Sequence, residues 1–370
     1  MARVLMDAKS RSTAHINLVP IPGQPAQVQP HLRRTSLTAP VLGDITNTGF
    51  AATGGKPADG KAAQPLFAVP MEVSVGSAAP GRLFGRSTFS TAAAPAAPVG
   101  DVADLPIEND DVQMEDPQLV SEYIADIFDH LTSSEAHYQP RQGFMDAQKD
   151  INAKMRAILV DWLVEVHMKY KLKTETLFMA VNLVDRFLQR RQVARTKLQL
   201  CGVTAMLIAA KFEEIYPPEV RDFVYITDNA YSKEDILSME VNMLTVLDFE
   251  LCSPSATQFL ERYQRVMQCR EEHYHLMQYV VELCLPEAKM LKYTPSHLAA
   301  AAVMLCNKLM KQHPAWPSSL GQMTSQSEST VKACAQEMCG LLEGAERSQL
   351  QAIRRKYSQP KFNSIAKMSF

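Results

Sequence analysis

The chain has 370 residues, 46% of them apolar, and a formal net charge of −2. Its length allows two or three domains, and its overall charge favours no class of charged partner. Seven cysteines without a C-x-x-C pair do not indicate a disulfide frame or a zinc site, and they are typical of a reducing compartment. No apolar run reaches about 18 residues, so no membrane span is predicted.

The first part of the chain differs from the rest in composition. Residues 1–100 hold 11 of the 22 prolines and 10 of the 15 glycines, and carry 9 Lys/Arg against 4 Asp/Glu. Such a segment cannot bury enough apolar area to offset the loss of chain entropy on folding. Residues 101–116 form an acidic linker. We therefore predict a disordered tail over residues 1–116.

Helical periodicity begins after Pro117, and an N-terminal helix is predicted over 117–134. A Ser-Pro break at Pro254 separates two later sets of helices, with Thr174 and Ser232 as predicted N-caps in the first set. The fold class is all-α, with domains at 152–250 and 254–357. The helices are predicted at 153–170, 174–190, 196–212, 217–226, 232–248, 255–268, 271–285, 294–311, 318–323, 327–343 and 345–356.

The run "MRAILVDWLVEVH", from Met155 to His167, is apolar on more than one side of its helix. Its main stripe follows i, i+3, i+4, i+7 spacing. By pattern alone, this is either a plain core helix or a core helix that leaves part of one face open to a partner. The stripe consists of Met155, Ile158, Leu159 and Trp162.

Several long runs together resemble the mitotic cyclins of the A and B types. They include "MRAILVDWLVEVH", "ETLFMAVNLVDRFL", "KFEEIYPPEV" and, in the second half, "YVVELCLPEAKMLKYTPSHLAAAAV". The resemblance covers about residues 117–350, and "GFMDAQKDINAKMRAIL" favours the B type. It implies two tandem five-helix cyclin boxes preceded by an N-terminal helix and a disordered regulatory tail.

The function implied by the resemblance is that of a non-catalytic regulatory subunit. Such a subunit forms a heterodimer with a cyclin-dependent kinase, here at the G2/M transition, and holds the kinase's mobile helix inward. An A-type cyclin acting in S phase and G2 remains an alternative, as does a cyclin-fold transcription factor that binds DNA. Residues 101–370 carry a net charge of −7, which disfavours nucleic acid as a partner.

No catalytic or cofactor-binding motif is present in the sequence. It lacks a Gly-rich phosphate loop, H-E-x-x-H and G-x-S-x-G. His273 and His275 lie beside Glu271 and Glu272, which is more typical of a solvated helix start than of a metal site. We predict no enzyme activity, no cofactor, no metal and no membrane partner.

Kinase-binding residues follow from the resemblance, position by position. Lys211 and Glu240 match the cation and anion that contact the kinase, and Phe249 matches an apolar contact. Tyr123 and Ile127 match the N-terminal helix that packs on the kinase, whereas His130 replaces an aromatic residue there.

A second set of residues matches a hydrophobic patch that docks Arg-x-Leu peptides of substrates or inhibitors. In this reading Glu165 attracts the peptide's Arg, and Gln199 hydrogen-bonds to its backbone. Arg156 and Asp185 match a structural ion pair, assigned to folding. The docking set is Met155, Ile158, Leu159, Trp162, Glu165, Leu198 and Gln199.

The tail contains parts of a destruction box, the motif through which a ubiquitin ligase recognises mitotic cyclins. Arg34 and Leu37 supply one half, and Leu42, Asp44 and Asn47 the other, with an offset between them. The Arg-Arg-Thr-Ser sequence around Arg34 also fits a basophilic kinase site. The resemblance further implies localisation in nucleus and cytoplasm.

Overall fold

A computed structural model describes residues 120–324 and 326–368, and within these ranges it contains helices and no strand. The all-α prediction is therefore confirmed. Twelve α-helices are found there, which are α1 (Ile124–Tyr138), α2 (Ala153–Tyr170), α3 (Thr174–Arg190), α4 (Leu198–Glu213), α5 (Val220–Ile226), α6 (Lys233–Val246), α7 (Ala256–Val266), α8 (Glu271–Leu283), α9 (Pro295–Leu309), α10 (Ser318–Thr324), α11 (Glu328–Gly344) and α12 (Ala352–Tyr357).

The first residues of α3 and α6 test the two predicted N-caps. The Ser232 side chain accepts a hydrogen bond from the Asp235 amide and so caps α6, as predicted. The prediction for Thr174 is wrong, because α3 already includes this residue and no side chain caps it. In α2, the Asn152 side chain accepts from the Met155 amide and fixes the first turn.

The first box, α2 to α6, is built around α4. Every residue from Leu200 to Ala210 is buried in this helix, which packs against α2, α3 and α6. The approach of α2 is close at Gly202, where an added Cβ would lie 2.7 Å from Cδ1 of Leu159. A glycine at this position therefore sets the spacing of the two helices.

The second box, α7 to α11, is built in the same way around α9. Residues Ala299 to Asn307 are all buried, and α7, α8 and α11 pack on them. In the described part of the chain, no helix combines the length and apolar character that a membrane crossing needs.

The N-terminal helix α1 bridges the two boxes. Its Glu135 carboxylate is buried and accepts hydrogen bonds from the amide and hydroxyl of Ser296, at the start of α9. Burial raises the pKa of this carboxyl. The Phe128 ring meets Phe259 of α7 edge-on at 5.7 Å, and Asn182 of α3 donates to a carbonyl at the end of α1. The helix is thereby held against both boxes.

Arg156 of α2 makes a second connection between the boxes. Its guanidinium binds both oxygens of Asp185 on α3, at 2.5 and 2.6 Å. The remaining nitrogen, Nη1, donates to the carbonyls of Leu285 and Pro286 after α8, at 3.0 and 3.1 Å. The side chains of Arg156 and Asp185 are at most 1% exposed. The predicted ion pair is present, and it also reaches the second box.

The last helix, α12, is anchored by a buried charge cluster. Nζ of Lys356 and the hydroxyl of Tyr357 both donate to Oε1 of Glu282 on α8, at 2.6 and 2.7 Å. All three side chains are buried. Since a buried charge is tolerated only with such partners, α12 has a fixed position beside α8 and α2.

Gly202→Ala should lower the free energy of unfolding by about 1–3 kcal/mol, because the added methyl group overpacks the contact with Leu159. Urea denaturation followed by circular dichroism measures the change. Gly340→Ala in α11 is the matched control, because an added Cβ meets nothing within 4 Å there. Helix propensity should make this variant more stable by about 0.5–1 kcal/mol. Equal effects at both sites would contradict the packing argument.

Asp185→Ala should lower the free energy of unfolding by about 3–5 kcal/mol, because it leaves the buried guanidinium of Arg156 without its carboxylate. Glu346→Ala removes the carboxylate that pairs with Arg354. Because the Glu346 side chain is 79% exposed, this variant should lower the free energy of unfolding by about 1 kcal/mol or less. Denaturation curves of the two variants provide the comparison. A loss at Asp185 no larger than that at Glu346 would show that the buried pair is not structural.

Candidate partner-binding surfaces

Lys211 and Glu240 form an ion pair at the surface of the first box. Lys211 lies in the last turn of α4, and its Nζ is 2.6 Å from Oε1 of Glu240 on α6. The lysine side chain is 46% exposed. An ammonium group has three donors and a carboxylate has two acceptor oxygens, so the pair retains capacity for groups of a partner.

The segment after Lys211 presents further apolar side chains that the sequence reasoning missed. Ile215 and Tyr216 are 80% and 90% exposed. Oε1 of Glu214 accepts hydrogen bonds from the Lys173 amide and the Thr176 hydroxyl, which ties this segment to the start of α3. Phe212, which follows Lys211, and Val241, which follows Glu240, are also exposed. The ion pair therefore lies among apolar side chains, a composition that is typical of a binding surface.

Phe249 is presented by a tight turn after α6. Its φ of +59° is unusual for a bulky residue, and its amide donates to the Leu244 carbonyl as in a Schellman-type helix end. Arg186 and Arg190 of α3 donate to the carbonyls of Glu250 and Val246 and hold the turn. The Phe249 ring is 67% exposed, so the fold maintains an apolar side chain in solvent.

Tyr123 and Ile127 lie on the outer side of the N-terminal helix region. They are 52% and 42% exposed, while Ile124 is buried. His130 is exposed on the same helix, α1. The predicted helix at 117–134 differs in its bounds, because α1 runs over Ile124–Tyr138 after a 3-10 turn at Ser121–Tyr123.

The structure corrects the predicted docking patch. Four of its seven residues are at most 3% exposed and belong to the hydrophobic core, so they do not line an open trough. Three of them lie on α2, which packs against α3, α4 and α12, and the fourth is the first residue of α4. The four are Met155, Leu159, Trp162 and Leu198.

The other three docking residues, Ile158, Glu165 and Gln199, are partly exposed. Ile158 lines a cleft of about 450 Å³ together with Ala157, Pro286 and Leu350. This cleft lies between α2, residues 286–289 after α8, and residues 348–350 before α12. Pro286 and Leu350 are far from Ile158 in the sequence, and only the fold brings them to α2.

Glu165 has a partner within the chain. Nη2 of Arg355 on α12 donates to its Oε1, and one turn earlier the Ala352 amide donates to Oδ1 of Asp161 at 2.9 Å. Burial raises the pKa of Glu165, and the nearby guanidinium opposes that shift. The exposed side of α2 thus carries two neighbouring carboxylates, and Arg355 of α12 contacts the second of them.

The predicted degron lies outside the described residues. Its members are Arg34, Leu37, Leu42, Asp44 and Asn47.

Two family models match the described helices in succession. The cyclin N-terminal domain matches residues 126–252, and the cyclin C-terminal domain matches residues 254–370. A putative cyclin-A3-1 of Arabidopsis thaliana is 42% identical over 266 residues, which are 70% of this chain and 75% of that protein. The chain belongs to the cyclin family.

Mitotic cyclins of both types are among its relatives. G2/mitotic-specific cyclin-B of Marthasterias glacialis is 42% identical over 69% of this chain. G2/mitotic-specific cyclin-A of Patella vulgata is 43% identical over 68% of this chain. The chain spans 66% and 59% of those two proteins, less than two thirds of their length. A solved viral cyclin from herpesvirus saimiri shares the fold with a TM-score of 0.52 and 18% identity, covering 58% of this chain and 97% of the viral one.

Trp162→Ala should lower the free energy of unfolding by about 3–5 kcal/mol, because it leaves a cavity in the core. Ile158→Ala, one turn earlier on the partly exposed side, should cost about 1 kcal/mol. Chemical denaturation measures both values. If Trp162→Ala unfolds like the wild type, the indole is not a core group and would instead belong to an open docking patch.

Proposed function

We propose that this protein is a non-catalytic regulatory subunit that binds and activates a cyclin-dependent kinase. Membership of the cyclin family supports the role. The observation that carries it is the Lys211–Glu240 pair, set among exposed apolar side chains at the end of α4 and on α6. The kinase would be a serine/threonine kinase, and the two proteins would form a heterodimer.

The physical basis of the interface is a charged pair within an apolar surface. Burying the rings of Tyr216 and Phe249 on association would supply hydrophobic free energy. The charges of Lys211 and Glu240 would hydrogen-bond to the kinase and fix the register of docking. Tyr123 and Ile127 on the N-terminal side would extend the contact, so that the buried area exceeds about 2,000 Å².

Timing, destruction and localisation belong to the same proposal. The protein acts at the G2/M transition in this account, with relatives named as cyclin-B and cyclin-A in support. Its tail is recognised by a ubiquitin ligase through the degron that includes Arg34 and Leu42. It works in the nucleus and the cytoplasm. An A-type role in S phase and G2 is the alternative timing.

Substrate docking is the third part of the proposal. Peptides with an Arg-x-Leu motif bind at the exposed side of α2, where Ile158 lines the cleft and Glu165 is half-buried. Gln199 in the first turn of α4 would add a hydrogen bond to the peptide backbone.

The double variant Lys211→Ala/Glu240→Ala should abolish kinase activation, because it removes the charged groups that fix the partner's register. The assay mixes the full chain with a monomeric cyclin-dependent kinase that carries its activating phosphate, and follows phosphate transfer to a histone-derived peptide. Circular dichroism should show unchanged helical content, because the variant removes both charged groups together and leaves neither one buried without its partner.

Lys292→Ala/Glu337→Ala is the matched control for this experiment. That pair has the same Nζ–Oε1 distance of 2.6 Å and lies at the surface of the second box. The control should activate the kinase like the wild type. Full activation by the Lys211/Glu240 variant would refute the assigned site, and no activation by the folded wild type would refute the regulatory role.

A further inference from the structure

The exposed side of α2 is already contacted by the C-terminal helix of the same chain. The Ala352 amide donates to Asp161, and the Arg355 guanidinium donates to Glu165. Arg355 is 190 residues away from Glu165 in sequence. An arginine of this chain thus binds Glu165, the carboxylate to which the arginine of a docking peptide would bind in the proposed function.

The position of Arg355 is fixed by its neighbours. Lys356 and Tyr357, which follow it directly, are buried and bind Glu282 of α8. The backbone at Arg355 therefore cannot leave α2 without breaking a buried ion pair. Its own side chain is 60% exposed, whereas that of Glu165 is 21% exposed, so the guanidinium lies on the solvent side of the carboxylate.

The charges around Glu165 determine how strongly this carboxylate attracts a further cation. Asp161 and Glu165 are separated by one turn of α2, a spacing at which like charges repel each other. Arg355 compensates that repulsion. A second cation arriving at Glu165 would gain the attraction of the carboxylates but would be repelled by the guanidinium already there. The arginine of a peptide therefore gains less binding free energy at Glu165 than it would at a carboxylate without a partner.

We propose that Arg355 is a specificity-determining residue of the docking face. It occupies Glu165 in place of a peptide arginine, and thereby weakens the preference for Arg-x-Leu motifs over motifs in which the arginine is replaced by a neutral residue. Docking then depends mainly on the apolar residue that enters the cleft beside Ile158 and Leu350. This inference rests on the proposed docking function.

The test measures binding of two fluorescein-labelled peptides to the full chain by anisotropy at low salt. The peptides are identical except that one carries Arg-x-Leu and the other Ala-x-Leu. The wild type should bind them with affinities within about twofold of each other. Arg355→Ala should bind the Arg peptide about fivefold more tightly, and the Ala peptide with unchanged affinity. Adding Glu165→Gln to Arg355→Ala should abolish that gain.

Arg354→Ala is the matched control, because Arg354 pairs with Glu346 at 3.2 Å. It should leave both affinities unchanged. An equal gain for both peptides in Arg355→Ala would mean that Arg355 acts as a steric cover, and no gain would mean that it does not compete; either result overturns the inference. A wild type that prefers the Arg peptide by tenfold or more overturns it as well.

Failure of the docking function has a separate signature. If neither peptide binds the wild type or Arg355→Ala, the docking face is wrong and this inference falls with it. Kinase activation by the same wild-type preparation then shows whether the regulatory role stands independently.

Discussion

The guanidinium of Arg156 is the group on which the placement of the two boxes depends. It is fully buried, and its charge is compensated by Asp185 within the first box. Its Nη1 atom donates to the carbonyls of Leu285 and Pro286 in the second box. A buried cation is stable only when its donors are satisfied, so this arrangement ties the correct docking of the boxes to the folding of each. Glu135 adds a second such tie through Ser296.

The proposed binding surfaces are composite, because each is formed by side chains of two helices. The pair Lys211–Glu240 joins two helices of the first box, and the face with Glu165 joins α2 to α12 at the far end of the chain. Side chains that are ordered before association lose less conformational entropy when a partner binds. In the proposed function, this is why a helical protein without chemistry of its own can impose a conformation on a kinase.

Most of the fold, but only part of the proposed binding sites, is predictable from the sequence. Helical periodicity and caps such as Ser232 are local, so α2 and α3 were predicted with the observed bounds. Burial of Trp162 was not predictable from its stripe, because periodicity does not show what covers a helix. The partner of Glu165 was not predictable either. Arg355 lies 190 residues away, and only the anchoring of Lys356 on Glu282 brings it to α2.

The most direct test of the account is hydrogen–deuterium exchange of the full chain with and without a monomeric cyclin-dependent kinase. The account predicts that the kinase slows exchange at the end of α4, along α6 and in the turn at Phe249, and at the start of α1. Exchange in α2 and α12 should stay as in the free protein. Protection of α2 and α12 instead, or no protection at Lys211 and Glu240 in a stable complex, would contradict it.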